Sequence, residues 1–341
     1  MMIKNINVSR KTTWRTWAVW AENILLVLII SFAFYTTLPV KTTQTLFVPK
    51  GSIASIIAQL TKKGYDLSVI DTTILRFIGT PKTGWVHLGK NRLNRIDFLY
   101  KLTNAKAMIH KVTLIPGETS ELFFEALAKN LKLDTKKLKK YYLEFSPYPE
   151  AGIYADTYYV PYGIKEKHLM HFLVRESNKK YKNISQKIYG NYSQKQWLKV
   201  LTIASIIQKE AANNKEMPLV SSVIHNRLKK RMRLQMDGTL NYGKYSHVKV
   251  TPERIRSDLS SFNTYKHKGL PNSPIGSVSL SAIKAAIKPA RTDYLYFMKN
   301  SKGVHDFTTT FKAHKKVIKK KKQQQAKALF EKIQTKKSTH Q

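Results

Sequence analysis

Hydrophobic and polar positions fall into distinct regimes along the chain. Residues 18–38, "AVWAENILLVLIISFAFYTTL", are apolar almost without interruption, over a length that matches the ~20 residues needed to cross a bilayer. Glu22 and Asn23 lie near the start, and Trp14, Trp17 and Trp20 crowd that end, as an interfacial aromatic belt would. The following "TTLPVKTTQTLFVP" offers no small-x-small cleavage pattern, so the stretch reads as a retained anchor rather than a signal peptide or a core helix. Lys4, Arg10, Lys11 and Arg15 precede it. The positive-inside rule then leaves arm 1–17 in the cytoplasm and everything after about residue 40 on the other side.

Beyond the anchor the pattern becomes periodic. "TLFVPKGSIASIIAQLTKKG" predicts a strand, a helix starting at Gly51-Ser52 and a stop at Gly64. A helix over 67–78, a short strand "GWVHLG" and a helix "NRIDFLYKLTN" complete an α+β unit of about 60 residues. A strand ending at Pro116-Gly117 and a helix from about Thr119 follow, and helices near 134–145 and 166–182 flank the aromatic segment "AGIYADTYYVPYG". Next come helices over 196–212 and 218–230, the second with proline in its first turn. Then "RMRLQMDGTLNYG" reads as loop, "SVSLSAIKAAIKPA" as a helix ended by Pro289, and "DYLYFM" to "VHDFTTT" as a β-hairpin. The Lys-rich tail from Lys315 reads as a basic helix or a disordered arm.

One helix breaks its own pattern. Ile203, Ile206, Ile207 and Glu210 stand at i, i+3, i+4 and i+7, so a carboxylate continues the buried stripe. It also sits in the last turn, where the helix dipole disfavours negative charge. Desolvation and dipole both raise a carboxyl pKa, which is what a general acid needs near neutral pH. The alternative is a solvated glutamate at a frayed end, paired with Lys209 or Arg227.

Composition narrows the setting. The chain has 341 residues with 60 Lys+Arg against 21 Asp+Glu, a formal net charge of +39, and no cysteine. At roughly 100–200 residues per domain, this length suits two folded units. The apolar fraction of 42% and the aromatic fraction of 11% are enough to offset the entropy of ordering. Such a charge suits nucleic acid, an anionic membrane surface or a polyanionic wall polymer. The absence of cysteine excludes a disulfide framework and thiolate metal sites. Downstream of Glu210, "RMRLQMDGTLNYG" and "SFNTYKHKGLP" gather Gln235, Asp237, Asn241, Tyr242, Asn263, Thr264 and Tyr265, residues whose side chains suit sugar hydroxyls and acetamido groups.

The motifs "IASIIQKEA", "HNRLKKRMRLQMDGTLNYG", "NTYKHKGLPNSPIG", "LSAIKAAIKPARTDYLYFM" and "GVHDFTTTFKAH", taken in this order, resemble those of the membrane-bound endolytic murein transglycosylases, the YceG-like family. The resemblance covers roughly residues 15–315. It implies an α+β protein made of an anchor at 18–38, a small LysM-like subdomain at 43–106, a larger mixed α/β catalytic domain at 107–315 and a basic tail at 316–341. It also implies a single-pass protein of the bacterial inner membrane with its catalytic domain periplasmic. The activity would be cleavage of the MurNAc–GlcNAc β-1,4 bond to leave 1,6-anhydro-MurNAc ends, ending the elongation of nascent strands, with no metal or organic cofactor. Glycan strands are the implied partner and cell-wall synthases the expected protein partners; no nucleic-acid motif is present.

The glutamate of the family's "ASI-x-x-KE" motif is its catalytic residue, and that position here is Glu210. Gln235, Asp237, Asn263 and Tyr265 are expected to bind substrate. The chain departs from many relatives, which have Glu-Lys-Glu-Thr, Thr-Asp-Pro-Thr and Ser-Pro-Tyr-Asn where it has "QKEA", "MDGT" and "SSFN"; these changes bear on Asp237 and its neighbours. A two-carboxylate glycosidase would need a second acid about 5–5.5 or 6.5–9.5 Å away, and Asp237 is the only one in the adjacent motif. Asp156 and His305 read mainly as structural. The competing function is a non-catalytic, membrane-anchored peptidoglycan-binding scaffold, which would not need Glu210.

Overall fold

The structure is a computed structural model that describes residues 8–104, 106 and 108–338, with side chains over 14–324 of these. Lys4 of the basic arm lies outside the described residues. Two compact units emerge: one runs to His110 and takes back Val160–Gly163, and the other comprises Lys111–Tyr159 and the chain from Ile164 onward.

The first unit begins with α1 (Val8–Thr37), which contains the apolar stretch Trp14–Thr37, 24 residues long and apolar enough to span a membrane. A single residue, Leu38, separates it from β1 (Pro39–Lys41). Then come β2 (Thr45–Val48), α2 (Ile53–Lys62), α3 (Val69–Ile78), β3 (Gly84–His87), β4 (Arg92–Asn94) and α4 (Arg95–Asn104). β1 pairs antiparallel with β4, and β2 with β3. The helix starts are encoded locally. The Ser52 hydroxyl accepts from the Ser55 N–H, and Ser68 with Asp71 forms a reciprocal capping box. Ile56, Ile57 and Leu60 of α2 then face Leu75 of α3 and Phe98 and Leu99 of α4 in one apolar core.

The second unit contains α5 (Ser120–Leu131), α6 (Thr135–Phe145), α7 (Glu166–Tyr189), α8 (Gln194–Glu210), α9 (Met217–Lys229), α10 (Pro252–Ser257), α11 (Leu280–Ile287), the hairpin β7 (Tyr296–Lys299) and β8 (His305–Thr308), and α12 (Phe311–Ser338). The two strands that precede the hairpin in the chain, β5 (Ile109–Thr113) and β6 (Thr157–Pro161), pair with each other. The whole is an α+β protein in which the sheets are two-stranded ladders and helices form the core.

The centre of the second unit is α8. Trp197, Leu201, Ala204, Ile206 and Ile207 are buried among residues of α9 and α11. Its C-terminal half is held from outside as well: the Ser205 hydroxyl accepts from the Ile275 N–H at 3.0 Å, and Gln208 Oε1 from the Ser279 N–H at 3.2 Å. The helix expected over 196–212 ends two residues earlier, because Ala211 turns to an extended backbone. Glu210 is therefore its last helical residue.

The basic tail from Lys315 continues a helix that starts ahead of it. α12 begins at Phe311, and Phe311 and His314 pack on Tyr296 of β7, with ring centroids 5.8 and 5.2 Å apart.

Candidate active site

Glu210 opens into a cleft of about 410 Å³ whose lining also includes Arg227, Gln235, Asp237, Tyr265 and Tyr296. Because the carboxyl terminates a helix packed on nearly every side, its position is set by the core rather than by a loop. Glu210 Oε1 accepts a hydrogen bond from the Gly238 N–H at 2.7 Å. Gly238 belongs to a short 3-10 turn, Asp237–Leu240. A Cβ on Gly238 would lie 2.7 Å from Glu210 Oε1 and 3.0 Å from Lys209 Cβ, so the turn can approach the carboxyl this closely only with glycine in place.

The environment of Glu210 favours its protonated form. Burial pushes the carboxyl up to about 7; the Gly238 N–H pulls the other way, the Asp237 charge adds to the rise and the Arg227 guanidinium offsets part of it. Neither of the paired alternatives is realised. The Lys209 ammonium turns to the Ser246 hydroxyl at 2.9 Å. The Arg227 guanidinium, part of the same lining, donates instead to the Leu295 and Leu234 carbonyls and lies 5.2 Å from the Tyr296 ring centre.

The facing wall comes from two loops clasped together. Thr264 and Thr239 are buried and share a 3.0 Å hydrogen bond, and Thr264 also accepts from the Met236 N–H. That junction carries Gln235, whose backbone is left-handed at φ 48, a conformation rare outside glycine and asparagine and often found at functional sites. Asp237 Oδ1 accepts from the Tyr265 hydroxyl at 2.7 Å, which fixes the acid and the phenol relative to each other. Burial and the neighbouring Asp237 carboxylate both raise the Tyr265 pKa, keeping the phenol a hydrogen-bond donor.

Gln235, Asp237 and Tyr265 thus share the cleft with Glu210; Asn263 does not. Its side chain is fully buried, the amide donating to the Ile255 and Asp258 carbonyls at 2.8 Å and the carbonyl accepting from the Tyr265 N–H. It builds the loop that presents Tyr265 and leaves no group for a ligand. Asp156 pairs with Lys180, away from the cleft lining. His305 is enclosed, its ring bonded to Glu216 at 2.7 Å.

Several contributors escape a reading of the sequence alone. The Gly238 N–H is a backbone donor, hidden in what looks like an ordinary Asp-Gly turn. Arg227 stands out in the sequence only as an ion partner for Glu210, not as part of the cleft lining. The third wall, Phe311, His314 and Ile318 of α12, did carry a signal, since spacing of i, i+3 and i+7 puts the three on one helical face of an otherwise Lys-rich segment.

The YceG-like family model matches residues 46–320, which takes in most of the first unit's core and the cleft. An endolytic murein transglycosylase of Bacillus subtilis strain 168 is 42% identical over 123 residues, 36% of this chain and 34% of that protein. A Streptococcus pneumoniae D39 protein of the same name is 36% identical over 104 residues, 29% of this chain and 19% of the relative. The matched segments thus span about a third and about a fifth of these relatives. A crystal structure of a YceG-like protein from Listeria monocytogenes superposes with a TM-score of 0.54 at 26% identity, covering 80% of this chain and 98% of the other. With the family model matching most of its length, the chain belongs to the YceG-like family.

Proposed function

We propose that the chain is a membrane-anchored endolytic lytic transglycosylase that cleaves the MurNAc–GlcNAc β-1,4 bond of peptidoglycan strands and so ends their elongation. The observation that carries this reading is Glu210: a carboxyl raised to about 7, fixed at the end of a buried helix and open to a polar cleft. A binding scaffold has no use for such a group. The names of the Bacillus and Streptococcus relatives point the same way.

Glu210, protonated, gives its proton to the glycosidic oxygen as the bond to the muramyl C1 breaks. The carboxylate so formed takes the proton of the muramyl C6 hydroxyl, whose oxygen closes on C1 to give the 1,6-anhydro ring. Water does not enter, and the internal hydroxyl benefits from a high effective concentration. Asp237, held by Tyr265, supplies negative charge opposite the developing oxocarbenium ion. Gln235 offers an amide to the substrate acetamido group. The Gly238 N–H stabilises the carboxylate form of Glu210 between the two proton transfers.

In this reading α1 is a single anchor in the cytoplasmic membrane with the basic arm inside, so that both units face the wall. The first unit is the LysM-like wall-binding module, and cell-wall synthases are the protein partners. Mass analysis of muropeptides released from purified peptidoglycan tests the reaction. Products lacking one water and resistant to borohydride support it, and reducible muramyl ends contradict it.

A further inference from the structure

The junction between the apolar helix and the first unit is unusually fixed. Tyr35, in the last turn of the Trp14–Thr37 stretch, shares a 2.6 Å hydrogen bond with the Ser68 hydroxyl and donates to Asp71 Oδ2 at 3.0 Å. Arg95 Nη1 donates to both Tyr35 Oη and Asp71 Oδ2, at 3.0 and 2.7 Å, and the guanidinium lies 4.3 Å from the Tyr35 ring centre. Arg95 and Asp71 are 2% and 0% exposed. Only Leu38 lies between α1 and β1, and its carbonyl accepts from the Arg95 N–H. A buried ion pair thus ties the end of the helix to the start of α3.

α3 is apolar on two sides. Ile74 and Leu75 enter the core, while Val69 is 82% exposed, Ile70 49% and Phe77 88%. At 100° per residue, Val69, Ile70, Thr73, Arg76 and Phe77 fall within an arc of about 120°, so the exposed residues make one continuous face bearing a single charge. The Ser68 hydroxyl that meets Tyr35 belongs to the residue just before Val69. Tyrosine near the end of a membrane span sits at headgroup depth. The first turn of α3 is therefore at that depth as well.

We propose that this face of α3 rests in the lipid headgroup region, seating the first unit on the membrane surface. Val69 and Ile70 enter the acyl boundary, and Phe77 follows along the same face. Arg76 lays its stem on the apolar surface and reaches the phosphates. The inference rests on α1 being a membrane span, as put forward above. Its consequence is that wall binding by the first unit takes place at a fixed, short height over the bilayer.

The chain has no cysteine, so single labels are readily placed on the full-length protein. Val69→Cys and, in the middle of the apolar stretch, Leu26→Cys are each coupled to an environment-sensitive fluorophore. The proteins are then reconstituted in phosphatidylethanolamine–phosphatidylglycerol vesicles carrying quenchers either near the headgroup or deep in the acyl chain. The expected result is a blue-shifted label at 26 quenched by the deep probe and a blue-shifted label at 69 quenched by the shallow one. A membrane-embedded label at 26 with a water-like, unquenched label at 69 overturns this inference and leaves the anchor intact. A water-like label at 26 overturns the anchor, and this inference with it.

Discussion

The Gly238 N–H donates to Glu210 Oε1 at 2.7 Å, from a position where a Cβ would lie 2.7 Å from that same oxygen. The donor and the close approach are inseparable. Gly238→Ala is expected to displace the carboxyl while leaving the surrounding turn folded, since Gly238 has no left-handed backbone to lose. A misplacement of this kind costs about 10²-fold in turnover. Kinetics on glycan strands, with circular dichroism to verify folding, check it.

The pKa of about 7 at Glu210 sets a pH profile. As the general acid it must be protonated, so turnover is expected to fall as pH rises through about 7. Stability follows the same sign. The folded state binds a proton more tightly than the unfolded one, so between the ordinary carboxyl value of 4.5 and about 7 the folded state holds more protons and loses stability as pH rises. Glu210→Gln, which carries no charge at any pH, is expected to be the more stable protein at pH 8, by about 3 kcal/mol. Thermal melts of both proteins across pH measure this.

Tyr265 and Asn263 are sequence neighbours with separable tasks. Tyr265→Phe removes the hydroxyl that pins Asp237; turnover is expected to fall by about 10-fold, an energy in the range of one lost hydrogen bond to a charged group, with melting nearly unchanged. Asn263→Ala leaves the Ile255 and Asp258 carbonyls unpaired and is expected to cost about 1–3 kcal/mol of stability. Parallel melting and kinetic measurements should show the two effects on opposite axes.

The net charge of +39 is expected to make binding to polyanionic wall material weaken as salt rises, because exposed charges are screened beyond about 8–10 Å at physiological ionic strength. Cleavage of short glycans, which depends on the cleft, should be less sensitive. Sedimentation binding assays and turnover measured across the same salt series make the comparison.

How much of this was legible in the sequence depends on the kind of signal. The apolar stretch and the stripe that ends in Glu210 could be read because they are periodic and local. Loop residues were harder. Gln235, Asp237, Asn263 and Tyr265 all look like sugar-binding polar groups, yet the fold directs Asn263 inward to satisfy two backbone carbonyls and the others toward the cleft. Composition cannot make that distinction, because it depends on which carbonyls a distant turn leaves unpaired. Nor could the sequence show that the Gly238 N–H serves Glu210, 28 residues away. Phe311 and His314 lie in one of the motifs that carry the family resemblance, but the surrounding lysines mask the spacing that joins them to Ile318 as a cleft wall.

The most direct test of the central claim is the turnover of Glu210→Gln on purified glycan strands, with folding verified in the same sample. The amide keeps the shape of the side chain but can neither give a carboxyl proton nor take one back, so both halves of the reaction are lost. A fall of about 10⁴-fold or more is expected, at or above the upper end for acid–base groups. A folded Gln variant that cleaves strands at the wild-type rate would contradict the assignment of Glu210 as the acid–base residue.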